Sequence, residues 1–333
     1  MGSKYHKALF YERKDDDNVR CQLCPHFCHI SPSNQGICGV RQNQDGNLYT
    51  LNYGQVTSAA MDPIEKKPLY HFHPGSTTLS LGTRGCNLSC SFCQNWRISQ
   101  GEPGTRNYSV DDIVELAQAK NSSTITFTYS EPVVWYEFIK DVASQAEVKG
   151  LGIILVTNGF IAAEPLEALT PYLSACNIDL KSVNAEFYKQ YCGGGAPEPV
   201  KETIVQLNKA GVHLEVTNLL IPGANDSQEE LKALCDFISE VDEDIPLHLS
   251  RYFPRHKLQK QQTPRRTMVE RFELAKSYLN HVYLGNIDHP EGRKTICPDC
   301  SAELIDRSYF QLQNNLQQGK CHECGREIKG RFN

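Results

Sequence analysis

No segment of this 333-residue chain is apolar for long enough to span a membrane. Its N-terminus, MGSKYHKALFYERKDDD, has no apolar stretch of the kind a secretory signal needs. Cytoplasmic residence is therefore the expectation. No internal repeat or low-complexity tract is present, which leaves out solenoids and flexible arrays. Neither sign of charge dominates: 34 Lys and Arg stand against 39 Asp and Glu, for a net charge of −5. That balance gives no reason to expect a nucleic-acid partner. With 40% apolar residues the chain has the composition of a globular protein, long enough for one large core with appendages.

Cysteine, by contrast, is plentiful: there are 14. A disulfide framework would suit a small secreted domain, and this chain is neither small nor visibly secreted. Eleven of the cysteines fall into three compact groups with metal-ligand spacings: Cys21, Cys24, Cys28 and Cys38; Cys86, Cys90 and Cys93; Cys297, Cys300, Cys321 and Cys324. Cys176, Cys192 and Cys235 lie outside them. Metal sites in a reducing compartment account for this pattern.

The middle group is the most informative. In GTRGCNLSCSFCQNW the spacing is C-x3-C-x2-C, directly after the β-like run Thr77–Leu81. A cubane iron–sulfur cluster usually takes four thiolates, so three on one loop leave an iron open to a small molecule. A structural zinc site would want four ligands in paired knuckles, and is the weaker reading. An open cluster makes oxygen sensitivity an expectation.

Around this loop, short β-branched runs alternate with amphipathic segments. Strands are expected at 77–83, 124–128, 152–157, 175–180, 213–220 and 247–251, with a further candidate at 281–284. Helices are expected at 110–120, 133–148, 165–173, 200–210, 227–241 and 267–279. Such repetition means a parallel α/β sheet, open or curled into a barrel, with functional residues at the carboxyl ends of its strands. Periodicity does not choose between the two. The polar stretch 257–266 reads as an exposed connection.

The triad, with Phe92 before its third cysteine, resembles the signature of the radical S-adenosylmethionine (SAM) enzymes. The segments CQLCPHFCHI, GICGVR, MDPIEKKPLYHFHPGS, GCNLSCSFCQNWRISQ, NIDLKS and the terminal CPDC and CHECG together resemble the radical SAM member of the AmmeMemoRadiSam system, related to pyruvate formate-lyase activating enzymes. This resemblance implies a partial (β/α)6 barrel over residues 76–290, a four-cysteine extension at 1–75 and a zinc-ribbon-like tail at 291–333. It implies a [4Fe-4S] cluster on Cys86, Cys90 and Cys93, and reductive cleavage of SAM to a 5′-deoxyadenosyl radical that abstracts hydrogen from a small-molecule or peptide substrate. The electron donor would be a flavodoxin or ferredoxin, and Memo-like and AMMECR-like proteins are implied as working partners. Two other functions stay open: an activase for a glycyl-radical enzyme, and a non-catalytic zinc-stabilised scaffold.

The same resemblance distributes the other cofactor contacts. Ser130 and Glu131, in Thr128-Tyr129-Ser130-Glu131-Pro132, match the family's GGE element, which meets the SAM ammonium; here Tyr-Ser stands for Gly-Gly. A helix-start carboxylate is the other reading of Glu131. Thr157 and Asn158, followed by Gly159, match a TNG element suited to a ribose. Asp179 and Lys181 match DLK; two apart on a strand they share a face, and a structural ion pair is the competing reading. Asn218, His248 and Arg251 are candidates for the substrate side. His71 and His73 read as structural.

The paired knuckles at Cys297/Cys300 and Cys321/Cys324 carry the spacing of a tetrathiolate site, with zinc expected and a rubredoxin-like iron the alternative. Such a tail is too small for a core of its own and would draw its folding energy from metal. Cys21, Cys24, Cys28 and Cys38 suit either zinc or an auxiliary iron–sulfur cluster, with His26 and His29 as possible alternative zinc ligands. Cys192, in the flexible-looking YCGGG segment, reads as a free thiol without function, with reaction at substrate the other possibility.

Overall fold

The computed structural model describes residues 6–308 and 311–332. One eight-stranded sheet organises the chain. Its strands are β1 (Ser58–Pro63), β2 (Thr77–Gly82), β3 (Thr124–Phe127), β4 (Gly152–Thr157), β5 (Leu173–Asp179), β6 (His213–Leu220), β7 (Leu247–Arg251) and β8 (Val282–Gly285). They lie side by side in chain order. From β2 to β8 every neighbouring pair is parallel, while β1 runs antiparallel along the edge of β2.

That order rules out a doubly wound sheet. A doubly wound sheet reverses its strand order at a switch point, and this sheet never does. Successive right-handed crossovers in one direction put the helices on one face and curl the sheet around the other. Its end strands, β1 and β8, are not paired with each other, so the sheet is open. It has seven parallel strands rather than the six expected, because the short 281–284 run does pair. Residues 58–63, ahead of the expected boundary at 75, belong to this sheet rather than to an appendage.

The helices are α1 (Val110–Ala119), α2 (Tyr136–Val148), α3 (Ala163–Leu169), α4 (Ala185–Tyr191), α5 (Pro197–Lys209), α6 (Gln228–Asp242) and α7 (Arg265–Lys276). Local chemistry fixes several starts. Ser109 and Asp112 form a capping box on α1, and the Ser227 hydroxyl caps α6 by accepting from the Glu230 amide. Their apolar stripes, such as Ile113, Val114 and Ala117 or Leu231, Leu234 and Ile238, are buried in the main core.

The inner face of the sheet carries polar groups beside a small apolar cluster of Ile154 and Ala175 with Ile64, Leu69 and Phe72, and period-2 alternation decides which residues reach it. On β6, His213, Glu215 and Thr217 point inward while Leu214, Val216 and Leu220 pack in the core outside. Glu215, fully buried, accepts the backbone amides of Tyr70 (2.9 Å) and His71 (2.7 Å) and faces His213 Nε2 (3.0 Å) and His248 Nε2 (2.6 Å). Burial would raise its pKa, but the hydrogen bonds from the two histidines hold it well below the usual carboxylate range. The PLYHFH segment thus plugs the inner face of the sheet at β6.

The tail docks on that plug. The Phe72–Arg331 bridge joins them; the Arg331 amide donates to His71 O (2.7 Å) and Lys329 Nζ meets Asp242 at 2.6 Å. His71 is therefore structural, with Nδ1 2.8 Å from Lys329 O and Nε2 2.6 Å from the Tyr283 hydroxyl. The tail also has a small core that its length did not suggest: Leu304, Ile305 and Ile328 around Cys297 and Cys321.

Candidate active site

At the carboxyl ends of the strands lies a cleft of about 260 Å³. The loop after β2 brings Cys86, Cys90 and Cys93 to its wall. That loop is pinned from behind: the Ser89 amide donates to Cys192 O and the Ser91 amide to Tyr191 O, both at 2.8 Å. Gly193 makes this possible. Its φ is +70°, and a Cβ there would sit 1.8 Å from Ser89 Oγ. Phe92 is buried against Phe187, with ring centroids 5.9 Å apart. Cys192 is not on a flexible loop; it closes α4, fully buried. Its thiol donates to the Cys90 sulfur and lowers the Cys90 pKa, while burial pushes Cys86 well up.

Among the described residues, Cys86, Cys90 and Cys93 are the only cysteines lining the cleft, and no histidine joins them. Nor do the three thiols crowd together. Among the described residues, three or more metal-ligating groups within 4.8 Å of one another occur only at Cys297, Cys300, Cys321 and Cys324. There, Cys297–Cys324 and Cys300–Cys321 are each 3.6 Å apart, close to the edge of a tetrahedron about one metal ion with bonds of about 2.3 Å. The tail can hold a single ion; the triad is spread for something larger.

Glu131 lines the same cleft, near Cys86. It caps a short helical turn, accepting the Val133 amide at 2.9 Å. It also accepts the Thr157 hydroxyl (2.5 Å) and the Asn158 amide (2.8 Å). Burial nevertheless pushes its pKa up to about 7. Three donors do not fully offset desolvation, so the carboxylate is suited to a cation in the cleft. Thr157 and Asn158 line the cleft, yet the donors just named serve Glu131, and the Asn158 side chain donates to Asn87 Oδ1 at 2.8 Å. Gly159 takes φ +68°, with Ile178 Cγ2 2.9 Å from where a Cβ would stand.

The Tyr-Ser substitution does not abolish the turn glycine would make. Tyr129 has φ +68° and the Ser130 amide donates to Thr128 O at 2.9 Å, a γ-turn. Its strain is held by the ring, which lies under Lys67 Nζ at 4.6 Å while the phenol donates to Asp62. Lys67 and Asp62, 2.8 Å apart, form a buried pair at the sheet edge. Burial would raise the Asp62 pKa, but hydrogen bonds from Lys67 and Tyr129 hold it far down.

Asp179 and Lys181 line the cleft, paired at 2.6 Å. Asn218 and Arg251 do not reach it, and His248 lies beside it. Asn218 is out of phase with Glu215 and Thr217; its amide donates to Leu180 O (2.8 Å) and Lys181 O (3.2 Å), supporting the loop after β5. Arg251 is out of phase with Ser250 and donates to Thr263 O at 2.7 Å. His248 is spent on Glu215 and borders an adjoining recess of about 640 Å³. Sequence reasoning missed Thr217, Ser250 and Asn286, which line both cavities. Alternation from Glu215 and His248 pointed to the first two; Asn286, in a turn at φ +60°, gave no signal.

Residues 80–238 match the Radical SAM superfamily. Over 334 residues the chain is 42% identical to the uncharacterized protein MJ0808 of Methanocaldococcus jannaschii, covering 97% of this chain and 98% of that one. It is 23% identical over 184 residues to the pyruvate formate-lyase 1-activating enzyme of Escherichia coli strain K12, covering 53% of this chain and 73% of that protein. Streptococcus suis SuiB bound to S-adenosylmethionine shares the fold, with a TM-score of 0.51 at 16% identity over 67% of this chain and 53% of that one. Residues 80–238, a little under half of the chain, thus form a segment of the Radical SAM superfamily. A segment of this superfamily implies a [4Fe-4S] cluster and SAM, and the cleft fits them: three spread thiols, no fourth cysteine or histidine among the described residues, and a buried carboxylate in the same cleft. No helix among the described residues is long and apolar enough to cross a membrane.

Proposed function

We propose that this protein cleaves SAM reductively and uses the resulting 5′-deoxyadenosyl radical on a small-molecule or peptide substrate, as the radical SAM member of the AmmeMemoRadiSam system. The observation that carries this is the composition of the cleft wall: three cysteine sulfurs and, among the described residues, no fourth cysteine or histidine. Cys86, Cys90 and Cys93 hold the cluster, which supplies the electron for carbon–sulfur cleavage when it is bound. Glu131 binds the SAM ammonium, and Asp179 and Lys181 orient its polar end. The 640 Å³ recess that shares Thr217, Ser250 and Asn286 with the cleft receives the substrate. A flavodoxin or ferredoxin donates the electron, Memo-like and AMMECR-like proteins act with it, and the reducing cytoplasm suits its thiols. Zinc occupies the tail.

Anaerobic incubation of reconstituted protein with SAM and dithionite tests the reading. It yields 5′-deoxyadenosine, and Cys90→Ala abolishes that product while the tail metal stays. Absence of the product from iron-loaded protein overturns the proposal. A second reading, a glycyl-radical activase, has the similarity to pyruvate formate-lyase activating enzymes in its favour. Co-purification with a large glycyl-radical partner would select it.

A further inference from the structure

We propose that Cys21, Cys24, Cys28 and Cys38 hold a second, polynuclear iron–sulfur cluster, through which electrons reach the triad. All four cysteines border one small void of about 20 Å³, walled otherwise by Leu23, Ile30 and Val134 among others. A mononuclear site draws its four sulfurs into one ligand sphere. The tail does this, and the N-terminal four do not: no three of them lie within 4.8 Å of one another. A cubane of irons and sulfides instead carries its thiolates on the outside of a larger body. Of the histidines that would let zinc compete, His29 is exposed and does not border the void, and His26, which does, has its Nε2 2.7 Å from Asn87 O.

Charge points the same way. Arg41, 1% exposed, borders the void with Nη1 3.7 Å from Cys21 Sγ. Its Nη1 also donates to Leu9 O and its Nη2 to Glu137, but its buried Nε has no partner. A buried donor without an acceptor is costly. Bridging sulfides of an anionic cluster are acceptors that a zinc tetrathiolate lacks, and hydrogen bonds to such sulfurs tune cluster potential.

The two cysteine loops touch. Gly85, at φ +95°, packs so closely on the N-terminal loop that a Cβ would stand 2.9 Å from Cys38 O. Asn87 borders the N-terminal void, accepts from His26 through its carbonyl, and directly follows Cys86. The role follows: a one-electron protein donor of the ferredoxin or flavodoxin class is oxidised by one electron. That electron passes through the N-terminal centre to the triad. This role, unlike the centre itself, rests on the SAM-cleaving reading.

The full chain, purified anaerobically with Cys86, Cys90 and Cys93 all replaced by alanine, tests the centre. It retains about four irons and four acid-labile sulfides, and adding Cys24→Ala removes them. Retention of zinc in place of that iron overturns the proposal. Should the triple variant not fold, wild-type content decides: about eight irons per chain supports two clusters, about four with a second zinc refutes them. For the relay, Cys24→Ala in the otherwise wild-type chain lowers the ratio of ferredoxin-driven to dithionite-driven 5′-deoxyadenosine formation. An unchanged ratio refutes the relay. Failure of SAM cleavage with both reductants in wild type would defeat the catalytic reading while leaving the iron count to decide the centre.

Discussion

Replacing Glu131 by glutamine separates a cofactor contact from a cap. The amide keeps the shape, and one oxygen can still accept from Val133 and Thr157. Its NH2 then faces the Asn158 amide, leaving two buried donors opposed at about 1–3 kcal/mol. If Glu131 also binds the SAM ammonium, E131Q loses a charged hydrogen bond of about 1.5–3 kcal/mol. That is roughly a 10- to 150-fold weaker Kd. The pH profile adds a second handle. In the free protein the Glu131 pKa is raised from 4.5 to about 7, so the folded state holds the proton more tightly than the unfolded chain does. Stability from this group is complete below pH 4.5 and is lost as pH rises through 7, by about 3 kcal/mol in all. SAM binding runs the other way: it needs the carboxylate and tightens as pH rises from 6 to 8. Calorimetric titration of SAM into iron-loaded protein under argon, at both pH values, measures this. E131Q binding within twofold of wild type, with no pH dependence lost, would refute the contact and leave Glu131 a cap.

Three other perturbations follow from the packing. Gly193→Ala puts a methyl into Ser89 at a positive φ, so it lowers the unfolding temperature by the equivalent of about 1–3 kcal/mol and loosens iron retention at the triad; unchanged iron content would contradict the bracing role. Arg41→Met strands the buried Glu137 carboxylate and costs about 3–5 kcal/mol in chemical denaturation, most of which the Arg41→Met/Glu137→Met double variant recovers. Stripping metal from the tail, or Cys321→Ser, removes hydrogen-exchange protection from 303–308 and from the docked 70–73 segment while cluster absorbance persists; protection that survives would mean that the apolar trio Leu304, Ile305 and Ile328 folds the tail without metal.

How much of this was legible in the sequence depends on whether the signal was local. The seven parallel strands and the triad were readable because period and spacing are written within a few residues. The antiparallel strand at 58–63 was not: SAAMDP is short, ends in proline, and becomes a strand only because β2 offers an edge. Helix α4 follows Asn184, whose side chain caps it, yet seven residues gave too little periodicity to register.

Asn218 and Arg251 teach the sharper lesson, since each was singled out for its chemistry at a strand end without fixing the strand's phase. Glu215 is a buried charge that needs the partners found on the inner face of the sheet, and with side chains alternating, that one fact turns Thr217 inward and Asn218 outward. His248 fixes Ser250 and Arg251 in the same way. Phase could thus have been read from the buried ionisable residue on each strand. The N-terminal cysteines mark the limit of such reading. Their spacing declares a metal site, but the nuclearity of that site depends on how far apart the folded chain holds four sulfurs, and on a buried arginine nitrogen with nothing else to bind.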